Sequence, residues 1–148
     1  MKKNAFFEEM RAAGKAYEEQ KAAHKEKKQQ IIDTYGWGSE ELKAWNEEDK
    51  AIEMPYSQGA WQAYRAWMAS GEILQMDDFL WDREVENFSD ALKAAGISEF
   101  LYTNKSTALM DNIHDLVALG WKLNGPETFE KEDRWGDKEN LRGLRFSL

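Results

Sequence analysis

The chain has 148 residues and a net charge of −8, with 28 Asp and Glu against 20 Lys and Arg, seven Trp and no Cys. That length suits one domain spanning 1–148, and the aromatic content excludes a disordered chain. The lack of Cys excludes disulfides and thiolate metal sites and fits a cytoplasmic setting.

The charge is concentrated. Residues 35–99 hold 14 acidic and 5 basic side chains, whereas residues 1–34 total +2 and residues 100–148 total −1. Such a block repels nucleic acid and attracts basic protein surfaces. Met1-Lys2-Lys3 begins like a signal peptide, but Glu8 and Glu9 interrupt any apolar segment behind it. No stretch approaches the roughly 20 apolar residues that span a membrane.

Residues 5–33 read as one long helix capped by Asn4, with an apolar stripe at Phe6, Phe7, Met10, Ala13 and Tyr17 and a second at Ile31 and Ile32. Between the stripes Glu18–Gln30 is almost wholly polar, which predicts a solvated or partner-facing middle. Lys21, Lys25 and Lys28 share one face there. Tyr35-Gly36-Trp37-Gly38 breaks the helix, its glycines read as turn residues around an anchoring Trp. Ser39 caps a second helix, with Glu40 and Glu41 in its first turn and Leu42, Trp45 and Ile52 inward. Ser57 starts a third, with Trp61, Tyr64 and Met68 as its apolar face and Gly71 at its end.

Ile73–Met76 reads as a short apolar connector. A fourth helix follows from about Asp77 to Ala95, with Trp81, Val85, Phe88 and Leu92 inward and Gly96-Ile97 closing it. Glu99–Thr103 reads as a strand, and Ser106 caps a fifth helix carrying Leu109, Ile113, Leu116 and Val117. Trp121–Leu123 opens another strand, broken at Gly125-Pro126 and resuming through Thr128–Trp135. After a turn at Gly136-Asp137-Lys138, Leu144, Phe146 and Leu148 alternate with Arg145 and Ser147. The fold class is α+β: a helical part over 1–75, then 76–148 with a small antiparallel sheet in helix-strand-helix-strand-strand order.

No nucleophile elbow or phosphate loop is present, and without Cys the two histidines, His24 and His114, give no metal spacing. A non-catalytic protein without cofactor is the expectation. The most regular charged feature is Asp78, Asp82, Glu86 and Asp90, at i, i+4, i+8 and i+12 of the fourth helix. At about 1.5 Å rise per residue these acids would stand about 6 Å apart, comparable to phosphates along a nucleic-acid strand. The alternative for that row is a solvated face opposite the core stripe. Trp67 and Trp135 fall off the core stripes and are expected at the surface, where aromatics beside acids make binding hot spots.

Phe100-Leu101-Tyr102-Thr103, Ser106-Thr107-Ala108-Leu109-Met110, Leu119-Gly120-Trp121 and Leu144-Arg145-Phe146 resemble small uncharacterised proteins from mobile elements of gut Firmicutes, over residues 97–148. The resemblance implies an accessory protein of phage, plasmid or conjugative-element origin and no catalytic residue. Small acidic proteins of that setting are similar to inhibitors of host defence, including anti-CRISPR proteins. The expectation is a protein-binding inhibitor whose acidic row at Asp78, Asp82, Glu86 and Asp90 occupies a basic surface of a nuclease such as a CRISPR effector, without itself binding nucleic acid. The alternative is a DNA-binding accessory protein with a winged-helix-like C-terminal part, helped by the Lys21–Lys28 face.

Overall fold

In the computed structural model, which describes residues 3–103 and 108–148, the chain forms two compact units. One is Ala5–Tyr56; the other is Ser57–Leu148 with the residues ahead of Ala5. The expected cap of the fifth helix, Ser106, lies outside the described residues.

The first unit is an antiparallel helical hairpin of α1 (Ala5–Tyr35) and α2 (Glu40–Ala51). Gly36 and Gly38 take left-handed conformations in the turn, with φ of 83° and 78°. Trp37 between them is 78% exposed, so it does not anchor the turn. Ser39 caps α2 as expected, its Oγ accepting from Leu42 N at 3.1 Å. The polar middle of α1 is not wholly solvated. His24 is buried there, its ring stacked on Trp45 with centroids 4.5 Å apart. The Trp45 indole N–H donates to the His24 carbonyl at 2.8 Å, and Lys28 Nζ lies 5.0 Å over the Trp45 ring. The partners of this polar stretch come from α2, 17 or more residues away.

The second unit is α+β. It holds α3 (Gln58–Ala69), β1 (Leu74–Met76), a 3₁₀ turn (Asp82–Glu84), α4 (Val85–Ala94), β2 (Glu99–Tyr102), α5 (Leu109–Ala118), β3 (Lys122–Glu132) and β4 (Lys138–Ser147). The sheet order is β1-β2-β4-β3. β2, β4 and β3 pair antiparallel as expected, but the Ile73–Met76 connector supplies β1, which pairs parallel with β2 from Leu74↔Phe100 to Met76↔Tyr102. The sheet is therefore mixed. β3 is irregular between Leu123 and Gly125, near the break expected at Gly125-Pro126.

The core of this unit is aromatic. Phe100 meets Phe88 and Trp121 edge-on, at 5.5 and 4.9 Å, and stacks with Phe146 at 5.3 Å. The Trp121 indole N–H donates to Ser89 Oγ at 2.8 Å, both groups buried. α4 ends as its sequence predicts: Gly96 has φ 73° and Ile97 N donates to Leu92 O at 2.9 Å, which closes a Schellman motif. α5 ends the same way, with Gly120 at φ 102° and Trp121 N donating to Leu116 O at 3.0 Å.

Two helix faces depart from expectation. α3 buries Gly59, Ala60, Gln62, Ala63 and Ala66, while Met68 is exposed and the helix ends on Ser70 rather than Gly71. The small face permits close approach to α4, since a Cβ on Gly59 would stand 2.6 Å from Glu84 O. The fourth helix starts eight residues late. Asp77–Trp81 is irregular, and Leu80, not Trp81, enters the core. On α5, Asn112 and Leu116 are buried and Val117 is exposed.

Candidate partner-binding surface

Glu86 and Asp90 stand one turn apart on the outer face of α4, opposite the buried Val85, Phe88, Ala91 and Leu92. Asp82 precedes them in the 3₁₀ turn, exposed, with Oδ1 accepting from Arg83 N at 2.9 Å. Glu86 and Asp90 make no ion pair among the described residues. Asp78 is separated from this row. It lies in the irregular segment, where Oδ1 accepts from Phe79 N at 2.8 Å and Oδ2 sits 3.8 Å from Arg65 Nη2. The expected ladder of four thus keeps two members on α4, Glu86 and Asp90, with Asp82 in the 3₁₀ turn ahead of them, because the α-helix begins only at Val85. Its neighbour Asp77 pairs with Lys131.

The segment Asp77–Trp81 is held from inside. Gln62 on α3 donates its side-chain amide to the Phe79 carbonyl, and Asn112 on α5 donates to the Leu80 carbonyl at 2.8 Å. Both amides are buried, and Leu80 is wholly so. Phe79 and Trp81, on either side of Leu80, remain 39% and 42% exposed, with ring centroids 4.6 Å apart, edge to face. The Arg83 guanidinium lies 4.8 Å over the Trp81 ring. Residue patterning assigned Trp81 to the core and missed Phe79. The available signal was a lone Gln on the Ala-rich face of α3 and a lone Asn on the apolar face of α5, each needing a partner if buried.

The remaining candidates lie on different elements. His114 and Asp115 are exposed on α5. His24 donates from Nδ1 to Asp49 Oδ1 at 3.2 Å, and Lys21 Nζ donates to the same oxygen at 3.0 Å. These two bonds hold the Asp49 carboxyl below its ordinary value of 3.8. A carboxylate–histidine pair of this geometry can orient a general base. Here Nε2 is buried, 3.5 Å from Glu48 and without a hydrogen bond, so a substrate cannot reach it. The pair ties α1 to α2 instead. Lys21 and Lys28 are engaged by Asp49 and Trp45, which breaks up the basic face.

Trp135 is 76% exposed at the β3–β4 turn, as its position predicts, with Arg134 5.1 Å from its ring. Trp67 is half-buried, not surface-exposed. An open groove of about 700 Å³ runs beside β1, with Lys3, Glu72 and Glu99 around Leu74 and Ile97, and no histidine in its lining. No helix among the described residues is long and apolar enough to cross a membrane.

A family model described as a domain of unknown function, DUF7698, matches residues 59–148. No curated protein and no solved structure matches the chain. The matched stretch starts at the second residue of α3 and takes in the entire sheet, the aromatic core and the acidic face of α4. The chain belongs to the DUF7698 family.

Proposed function

We propose that the protein is a non-catalytic binding protein that occupies a basic, nucleic-acid-binding surface of another protein, as an inhibitor does. The observation that carries this reading is the outer face of α4, where Glu86 and Asp90 are exposed and have no ion-pair partner among the described residues, with exposed Asp82 in the 3₁₀ turn ahead of them. Like charges at i, i+4 destabilise a helix by a few tenths of a kcal/mol per pair. Glu86, in the first turn of α4, also complements the helix dipole, so the acid that folding does not favour and that an oppositely charged partner would is Asp90, farther along the helix. The partner class that the resemblance to mobile-element proteins suggests is a CRISPR effector nuclease.

The alternative, a DNA-binding accessory protein, draws on the β2-β4-β3 order with α5 ahead of the hairpin, which is loosely that of a winged helix. The α5 segment weighs against it, since it carries Asp111 and Asp115 and no Lys or Arg. A recognition helix without cations releases no counterions from DNA.

The test is inhibition of DNA cleavage by purified CRISPR effector nucleases, with a second titration of the protein alone onto duplex DNA. The expected result is protection of the substrate and no DNA binding. Salt-dependent binding to the duplex would favour the accessory protein instead.

A further inference from the structure

Asp77–Trp81 is fixed more firmly than a connector requires. Burying an amide costs free energy unless its hydrogen bonds are made. Two buried amides, Gln62 and Asn112, come from different helices and donate to two consecutive carbonyls of this one irregular segment, although Gln62 Oε1 and Asn112 Oδ1 are themselves buried without a hydrogen bond among the described residues. Leu80 alone fills the core position. The consequence is that Phe79 and Trp81 are held at the surface in a defined edge-to-face pair. Aromatic side chains whose position is set before binding lose little conformational entropy when a partner covers them.

We infer that the Phe79–Trp81 pair anchors the partner contact and takes an arginine side chain from a basic protein surface. The occupant is chosen by the chemistry around the rings. The Arg83 guanidinium lies over Trp81, so this ring suits a planar cation, and a partner's arginine displaces Arg83 from it. Asp78 and Asp82 flank the pair in sequence and are exposed, and Glu86 and Asp90 continue the negative charge along α4. A guanidinium can stack on a ring and hydrogen-bond a carboxylate in two places at once, which an ammonium cannot. A nucleobase could stack on the same rings, but its phosphates would meet these acids. The inference rests on the protein-binding role proposed for the acidic face, and adds its anchor and the side chain it selects.

The full chain, as wild type and as the Phe79→Ala/Trp81→Ala variant, can be titrated with labelled nona-arginine, nona-lysine and oligothymidine at one ionic strength. Wild type should bind the arginine peptide about three- to tenfold more tightly than the lysine peptide, the range a single cation–π contact supplies. The double variant should lose that ratio and keep its affinity for the lysine peptide. Reversing Asp82, Glu86 and Asp90 to Lys should weaken both peptides. Equal binding of the two peptides by wild type, or a ratio that survives the double variant, overturns the aromatic anchor and leaves the acidic face standing. Failure of wild type to bind either peptide, or peptide binding that the charge reversal does not weaken, overturns the acidic face itself. Preference for oligothymidine overturns the choice of a protein partner. Thermal unfolding reports whether the double variant is folded. If it is not, Trp81→Phe, which keeps a ring, should retain a preference for arginine that Trp81→Leu loses, and equal ratios in these two overturn the anchor.

Discussion

The Trp121 indole N–H has one buried partner, the Ser89 hydroxyl at 2.8 Å, and both groups sit where water does not reach. Ser89→Ala removes the acceptor and leaves the donor stranded. The expected loss is about 1–3 kcal/mol, read as a lower urea midpoint with an unchanged slope. An unshifted midpoint would show that the indole finds another acceptor. Asp49 makes a second prediction at this scale. Its carboxyl lies below the ordinary 3.8 because Lys21 and His24 donate to it. A depressed carboxyl contributes stability above its unfolded value and loses it as pH falls through the folded one. The stability difference between wild type and Asp49→Asn should therefore be present above 3.8 and be lost as pH falls below it. A difference that persists undiminished well below 3.8 would contradict the assignment. Neither pair was legible from local pattern. His24 stands among charged neighbours in α1, and its Trp45 and Asp49 partners arrive only when α2 folds back.

Helix ends were legible where the signal is local. Gly96-Ile97 pairs a left-handed glycine with the residue that closes the cap, and it forms as the sequence indicates. The start of α4 was not. An apolar spacing counted back from Leu92 places Trp81 inward, but Gln62 and Asn112 hold the Phe79 and Leu80 carbonyls in a non-helical path. Those amides come from α3 and α5, so no window on α4 contains them. β1 was missed for a related reason. Three residues carry no readable period, and their hydrogen bonds are supplied by β2 some 25 residues on. The α3–α4 contact gives an element-scale prediction. A Cβ at Gly59 would stand 2.6 Å from Glu84 O and 2.9 Å from Phe88 N, both backbone atoms. Glu84 also accepts from Gly59 N at 2.9 Å, so the two helix starts are bonded as well as close. Gly59→Ala should cost about 1–3 kcal/mol by overpacking. Gly71→Ala, which meets nothing within 4 Å, should stay within about 0.5 kcal/mol of wild type. Equal melting temperatures for the two variants would contradict the close approach.

At the scale of the whole molecule, composition and topology agree on fold class and differ in detail. An α+β chain with the helical part first is what the sequence pattern indicates, and the mixed sheet differs from the antiparallel one expected by a single short strand. The acidic centre of the chain divides by role. Glu40 and Glu41 serve the start of α2, Asp77 and Asp78 pair with Lys131 and Arg65, and Glu84 receives Gly59 N. Glu86 likewise serves the start of α4 and Asp82 accepts from Arg83 N, which leaves Asp90 as the acid of the row without a structural task among the described residues. Of the four acids expected on one helix, Glu86 and Asp90 do lie on α4, Asp82 falls in the 3₁₀ turn ahead of it and Asp78 in the irregular segment, and the exposed aromatic pair beside them was hidden by the same helix boundary. The most direct test of the acidic face is cleavage of target DNA by a purified CRISPR effector nuclease in the presence of wild-type protein or of the Asp82→Lys/Glu86→Lys/Asp90→Lys variant. Wild type should protect the substrate, with inhibition that weakens as salt is raised, and the reversed protein, folded by its unfolding curve, should inhibit about tenfold less or not at all. Equal inhibition by the two proteins would contradict it.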